Sequence, residues 1–513
     1  MHSLSIKDLS FFSDLVKDYL HENIKTERLY SFKPSLQGLK DALVSKEENY
    51  SHRELLKVII DKNYNENYIP SDEEKNSLDL LKDNGYAITT AHQPNLFLGP
   101  LYTITKAVST ISLANKINSE LKVRKVVPIF VIGSEDHDKE ELLHTYLFGK
   151  KYEWLTQQKG AVGSMKIDES FLRLLNEWIS AFGNFPYANE LKEIYTSSYI
   201  LNNSVAYSTG LILKKIFGKY GLIVLDLNHK EVKEAMVPIF EKELKENFAS
   251  HTLKSQLEFL RKEYSVQAEP RNINLFEYKN GERIRIDRVD DTLIENLKSH
   301  PENFSPNVIL RPLMQQSVLP SIANIGGGAE VSYWLQIKPI FESAKINFPA
   351  LILRDIFSPL EKKSIDKWTE NKLELMDFFL SIDELKKKIA LQNSNLESDF
   401  KNIEIAILEK FKELENKLIP IDKSLVGSYQ AEVIKLQKSI ELLYSKALKA
   451  EKKKAEDLIN SLEKIKNKVF EANYLTERKE NFSTYYLRYG SRWIDNMIQN
   501  ADPLKWEWKL DVL

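Results

Sequence analysis

At 513 residues the chain is longer than one hydrophobic core usually supports, which predicts two or three structural units. Its 72 Lys and Arg against 74 Asp and Glu leave a formal charge of −2, arguing against a surface built throughout to hold nucleic acid. With no cysteine present, disulfides, thiolate nucleophiles and any sulfur-ligated metal are excluded, and a metal would need His and carboxylate donors.

The opening residues lack a basic segment followed by an unbroken apolar stretch. No window approaches the roughly 18 apolar residues of a membrane span, so a soluble, cytoplasmic protein without membrane contact is expected. Residues 4–83 alternate short apolar clusters with charged and Asn-rich stretches, the pattern of several helices joined by polar loops. A β-prone run at 86–90 ends in the turn-forming His92-Gln93-Pro94-Asn95, and helical spacing follows at 101–117. The nearly continuous apolar run 125–133 predicts a strand buried on both faces of a parallel sheet. Runs 221–226 and 349–354 repeat the pattern of an apolar strand ending in a polar residue, here Asp226 and Arg354. Four such strands predict an open α/β sheet.

Two stretches of alternating polarity, 146–167 and 273–287, predict smaller β-containing insertions, the second with a hairpin turn at Lys279-Asn280-Gly281. After about residue 359 glycine and proline become scarce. Phe400, Ile403, Ile407, Phe411, Leu414, Leu418 and Ile421 advance by threes and fours on one helical stripe, which Pro420 and Gly427 break. A second stripe through Val433, Leu436, Ile440, Leu443 and Ala447 continues one residue out of phase from Leu448 to Val469. Two long helices joined by a turn form an antiparallel hairpin that cannot bury its stripe against itself, so a homodimer through this coiled coil is expected. The aromatic tail 481–513 is expected to pack back on the globular body. The resulting division is a helical lead-in (1–84), an α/β core (85–365) with insertions at about 146–215 and 265–300, a coiled coil (366–472) and a C-terminal segment (473–513).

The loop with His92, Asn95 and Gly99 stands where a first strand hands over to a helix, the place at which open α/β sheets bind ligands and helix amides favour phosphate. An ordinary loop in which His92 and Asn95 cap the helix fits equally. Ser134-Glu135-Asp136-His137-Asp138 crowds three carboxylates and an imidazole at a strand end, which shifts their titration and costs stability. A solvated loop capping a helix and a hard-metal site are its other readings. Gly326, Gly327 and Gly328 precede Glu330 and a helical run, giving backbone amides room to approach an anion or adenine nucleotide. Glu330 offers an anchor for an ammonium group, and Tyr333 and Trp334 offer aromatic surface. Arg311 and Gln315, one helical turn apart, suit a carboxylate or phosphate, or a surface salt bridge. The P-loop, dinucleotide and zincin motifs are absent.

Three strings, 90–102, 134–138 and 304–313, occur in this order together with Gly326 and Gly327 ahead of Glu330, the run 333–338, the charged hairpin and 475–478. In these the chain resembles the cysteine-adding enzymes of bacillithiol biosynthesis along nearly its whole length. The resemblance implies a Rossmann-like core related to class I aminoacyl-tRNA synthetases, connective insertions and a dimerising coiled coil. It also implies the reaction, addition of cysteine to the amine of glucosaminyl-malate. The chain differs in having Gly328-Ala329 where Pro-Gly is more usual, and it has no clear KMSKS-like loop. On this reading ATP or another nucleotide activates the cysteine carboxyl. His92, Asn95 and Gly99, with Gly326 and Gly327, hold its phosphates. His92, Asp136, His137 and Asp138 are the catalytic candidates and Ser134 and Glu135 substrate-binding ones; Glu135, Asp136, His137 and Asp138 bind an amino group or take its proton. Arg311 and Gln315 grip a carboxylate, and Glu330, Tyr333 and Trp334 shape the pocket. No metal is assigned. A metal-dependent hydrolase using Asp136, His137 and Asp138, and a non-catalytic coiled-coil scaffold, are the alternatives.

Overall fold

The computed structural model describes residues 2–65, 68–122, 124–392 and 394–513. The chain divides into two compact units, one formed by Ser3–Ser358 with Glu477–Lys509, the other mainly by Pro359–Thr476.

The larger unit is built on a parallel sheet. Strand β1 (Tyr86–His92) leads through a short turn into helix α1 (Tyr102–Leu121), followed by β2 (Val126–Ile132) and β3 (Ile223–Asp226). Helices α2 (Lys230–Glu246) and α3 (Arg311–Val318) come next, then β4 (Ser321–Gly326), α4 (Gly328–Ala344) and β5 (Ala350–Leu353). The sheet order is β3-β2-β1-β4-β5, with every pairing parallel. The chain therefore starts in the middle, builds to one edge, returns to the middle and builds to the other, which is the Rossmann arrangement. Its switch point is the crevice between the ends of β1 and β4. All seven residues of β2 and all six of β4 are buried, as a sheet covered on both faces requires.

Four of these strands follow the apolar runs in the sequence. The fifth, β4, lies inside the sheet between β1 and β5 yet carries Ser321 and Asn324, so it has no apolar run to betray it. Their polar groups are satisfied internally: the Ser321 and Thr89 hydroxyls lie 2.9 Å apart, and the Gln315 amide donates to Asn324 Oδ1 at 3.1 Å. Helix Leu36–Asn49 of the N-terminal region sends Leu39, Ala42 and Leu43 into the same core as Ile88, Ile325 and Ile352. A further N-terminal helix, Asp72–Asp83, opens with a Ser71–Glu74 capping box, worth about 0.5–2 kcal/mol to that end.

Both predicted insertions contain antiparallel hairpins, His144–Leu147 with Lys150–Glu153 and Leu275–Lys279 with Glu282–Arg285. Asn280 and Gly281 both have positive φ, 52° and 77°, as a two-residue turn between such strands demands.

In the smaller unit, helices α5 (Leu396–Leu418) and α6 (Leu425–Lys454) are joined by six residues that include Pro420. They run antiparallel, with the Phe400 and Tyr444 rings 5.6 Å apart. Gly427 does not break the helix, since it lies in the first turn of α6, where glycine costs little. The phase slip between Ala447 and Leu448 falls inside the continuous helix α6; the chain interrupts the helix later, at Ala455, after which a separate helix runs Glu456–Asn467. Neither α5 nor α6 contains a buried residue, and Ile403, Ile421 and Leu443 are 54%, 75% and 58% exposed. Among the described residues no helix is long and apolar enough to cross a membrane.

Candidate active site

All five parallel strands end at one cleft of about 580 Å³, a volume suited to a small-molecule substrate. Strand β1 brings His92, the loop after β2 brings 134–138, and β3 brings Asp226. Gly327 comes from the end of β4 and Arg354 from the end of β5. Strand ends on a rigid sheet hold such groups more tightly than free loops could.

The crowded segment 134–138 resolves into separate pairs, which is how its like charges coexist. Asp136 accepts two hydrogen bonds from Arg311, at 2.6 and 3.0 Å. Burial pushes this carboxyl up, but the Arg311 guanidinium outweighs it and holds the pKa at about 2. Two of the Arg311 nitrogens are thus engaged with Asp136, leaving Nε without a partner at the cleft wall, and Asp136 is a poor proton acceptor. A carboxyl depressed in the folded state adds stability that is present above its unfolded pKa and lost as pH falls through the folded one. The pair should therefore contribute about 2 kcal/mol at neutral pH that disappears between about pH 4 and pH 2. The gap in urea stability between the protein and Asp136→Asn should narrow over that window.

Glu135 is ion-paired with Lys233 of α2, their side chains 5% and 0% exposed. Burial raises its carboxyl, yet Lys233 and Arg311 together keep it below the usual range. The Ser134 hydroxyl donates to Asp226 Oδ1 at 2.7 Å. His137 lies exposed at the rim, Nδ1 3.1 Å from an Arg283 nitrogen, and burial with Arg283 pulls its pKa down. Asp138 is exposed and accepts the Glu141 N–H as the cap of helix Lys139–Leu142; the serine expected to cap on the solvated-loop reading, Ser134, binds Asp226 instead. Among the described residues no three of His, Asp and Glu are arranged to hold a metal ion, so the hydrolase reading has no ligand set.

His92 ends β1, buried, with its ring 5.0 Å from that of Tyr102. Burial, reinforced by the Lys106 charge, lowers its pKa well below normal, so the imidazole is neutral. Asn95 and Gly99 do not line the cleft, contrary to their assignment as phosphate ligands. Asn95 is 3% exposed. A Cβ at Gly99 would collide with the Thr145 hydroxyl, so glycine is needed there for close packing. From this part of the chain, Gln93, Tyr102 and Lys106 reach the cleft instead.

On the far side of the switch point, Gly326 ends β4 and Gly327 caps α4. Glu330 accepts the Gly327 N–H at 2.8 Å and pairs with Lys106 at 2.6 Å, so it is engaged by protein and not poised for a substrate ammonium. Lys106 also donates to the Ala91 carbonyl at 2.7 Å, tying α1 to the end of β1. Gln315 is buried at the cleft wall, where its amide nitrogen donates to Asn324 and Thr89. Tyr333 and Trp334 line the wall, and Trp334 also packs against Phe341 and Phe348.

Arg354 makes a paired hydrogen bond to Glu477, at 2.9 and 2.6 Å, and its guanidinium lies 5.4 Å from the Tyr102 ring, with Arg478 5.9 Å from the same ring. Lys106, Lys233 and Arg354 belong to no local motif, and Glu477, though it lies in the string 475–478, had no role assigned, because their partners come from distant sequence. Only the pattern of an apolar strand ending in a polar residue singled out Arg354 and Asp226, and it gave them no role.

Comparison with known proteins gives a consistent match over both units. Residues 1–355 match the model of the bacillithiol biosynthesis BshC N-terminal Rossmann-like domain, and 357–511 that of the BshC C-terminal coiled-coil domain. Similar curated proteins include those of Flavobacterium johnsoniae, 32% identical over 98% of both chains, and Christiangramia forsetii, 32% identical over 99% of this chain and 98% of the relative. A Bacillus cereus protein is 26% identical over 99% of this chain and 100% of its own. Each bears the name "Putative cysteine ligase BshC".

Proposed function

Because the chain belongs to the bacillithiol biosynthesis BshC family, we propose that it is a cysteine ligase, forming an amide between the cysteine carboxyl and the amine of glucosaminyl-malate. The observation that carries this reading is the full-length match through both domains. ATP or another nucleotide activates the carboxyl, and its phosphates lie near the α4 N-terminus, where helix amides and Arg478 favour negative charge. The neutral His92 serves beside them. The Arg311–Asp136 pair fixes the cleft wall and presents its remaining polar edges to substrate. A protein without cysteine recognises the substrate thiol through oxygen, nitrogen and aromatic groups, for which Tyr102, Tyr333 and Trp334 are available. A reaction consuming ATP and free cysteine fits a cytoplasmic location.

The test is incubation with cysteine, ATP and glucosaminyl-malate, following thiol and nucleotide products by mass spectrometry. Amide product is expected only with all three present. In cells, His92→Ala should abolish thiol formation at unchanged protein level, and Asp136→Ala should abolish it even where expression is raised to offset the lost Arg311 pair. Normal product in both variants would remove these residues from the site.

The same reading includes a homodimer through the α5–α6 hairpin, supported by the exposed Ile403, Ile421 and Leu443. Sedimentation should give a dimer, and Ile403→Glu with Leu443→Glu a monomer. A monomeric unaltered protein would exclude it.

A further inference from the structure

We propose that Asp226 is the catalytic residue that accepts the proton of the acceptor amine as the amide bond forms, an assignment that rests on the ligase reading above. Of the carboxylates facing the cleft, most are already engaged. Glu135 is held by Lys233, Asp136 by Arg311, Glu330 by Lys106 and Glu269 by Arg261, while Asp138 caps a helix. Two remain, Glu141 and Asp226. Glu141 is exposed on the short rim helix, and no hydrogen bond fixes its carboxylate among the described residues.

Asp226 is fixed at the end of β3. Its Oδ1 accepts the Ser134 hydroxyl at 2.7 Å and the Asn228 N–H at 2.9 Å. Its backbone is clamped by Asn63, which accepts the Asp226 N–H at 2.8 Å and donates to its carbonyl at 3.1 Å. No ion pair engages the side chain among the described residues, and Oδ2 has no protein partner there. An oriented carboxylate with one oxygen held and the other open to the cleft is the geometry a proton acceptor needs.

The charged groups facing it are His229 from its own loop and Glu135 from the loop after β2, with Lys62 and Glu231 acting on His229. Burial raises the Asp226 carboxyl and Glu135 adds to this, against the pull of Asn228, Ser134 and His229. The result is a stronger base than an ordinary aspartate.

In the step itself the amine nitrogen bonds to the acyl carbon of cysteine activated by a nucleoside triphosphate. The bond from that carbon to the phosphate oxygen breaks with its electron pair, and the proton leaving nitrogen passes to Asp226 and then to water.

The purified full-length protein tests this with two acceptors, glucosaminyl-malate and hydroxylamine, whose adjacent oxygen makes it nucleophilic enough to trap activated acyl groups with water alone taking the proton. Asp226→Asn should lower amide formation about 100-fold or more, while cysteinyl hydroxamate formation stays close to the unaltered rate. Asp226→Glu should recover part of the loss. In Ser134→Ala the lost donor to the ionised carboxylate should move the acidic limb of the amide pH profile upward by about one pH unit, with the fold intact. Equal loss with both acceptors, or no loss with either, overturns the assignment, as does an Asp226→Asn profile reproduced by Glu141→Gln. Failure of the unaltered protein to form any amide instead overturns the ligase reading, and this step with it.

Discussion

Replacing Glu477 with alanine is expected to destabilise the α/β unit by about 3–5 kcal/mol and to abolish activity. The Arg354 and Glu477 side chains are 6% and 1% exposed, and the two charges face each other through two hydrogen bonds. Removing the carboxylate leaves a guanidinium, which cannot deprotonate, buried without its counter-charge. Urea unfolding should show the loss, and a deficit below about 1 kcal/mol would mean that the pair is not desolvated. The double replacement Arg354→Met with Glu477→Leu separates structure from function. An apolar pair of similar volume should recover most of the stability, since desolvation offsets much of a buried ion pair. It should remain inactive, because Arg354 is part of the cleft. Activity in the double variant would show that Arg354 acts only through packing.

Lys233→Met is expected to cost a similar amount, about 3–5 kcal/mol at neutral pH, with a pH dependence that identifies the cause. Glu135 would lose its nearest counter-charge inside the protein, and burial would then push its carboxyl above the unfolded value. A carboxyl raised in the folded state costs stability that is absent below the unfolded pKa and grows as pH rises through it. In the unaltered protein the same group is depressed and loses its contribution on acidification. Both effects make the difference between variant and unaltered protein shrink as pH falls through about 4. A deficit independent of pH would assign the loss to packing around the methionine, not to Glu135.

Much of the frame is legible in the chain itself. Buried parallel strands must be apolar on both faces, so β1, β2, β3 and β5 stand out as runs, and a long helical hairpin declares itself by its spacing. The strand that escaped detection, β4, is polar where Ser321 and Asn324 find partners across the sheet, and such satisfaction cannot be read locally. The same limit explains the site. Segment 134–138 and His92 are visible because several functional groups fall within a few consecutive residues.

What the sequence by itself determined is the α/β class, the position of the cleft-forming loops, the hairpin and, through motif resemblance, the family. What only the tertiary structure decided is the state of each charge. Arg311 and Asp136, Lys233 and Glu135, Lys106 and Glu330, and Arg354 and Glu477 neutralise one another, while Asp226 keeps an open oxygen. The reason is physical: a charged side chain's chemistry is set by its burial and by the group within a few ångströms of it, and here that group is as much as 224 residues away along the chain, as Glu330 is from Lys106.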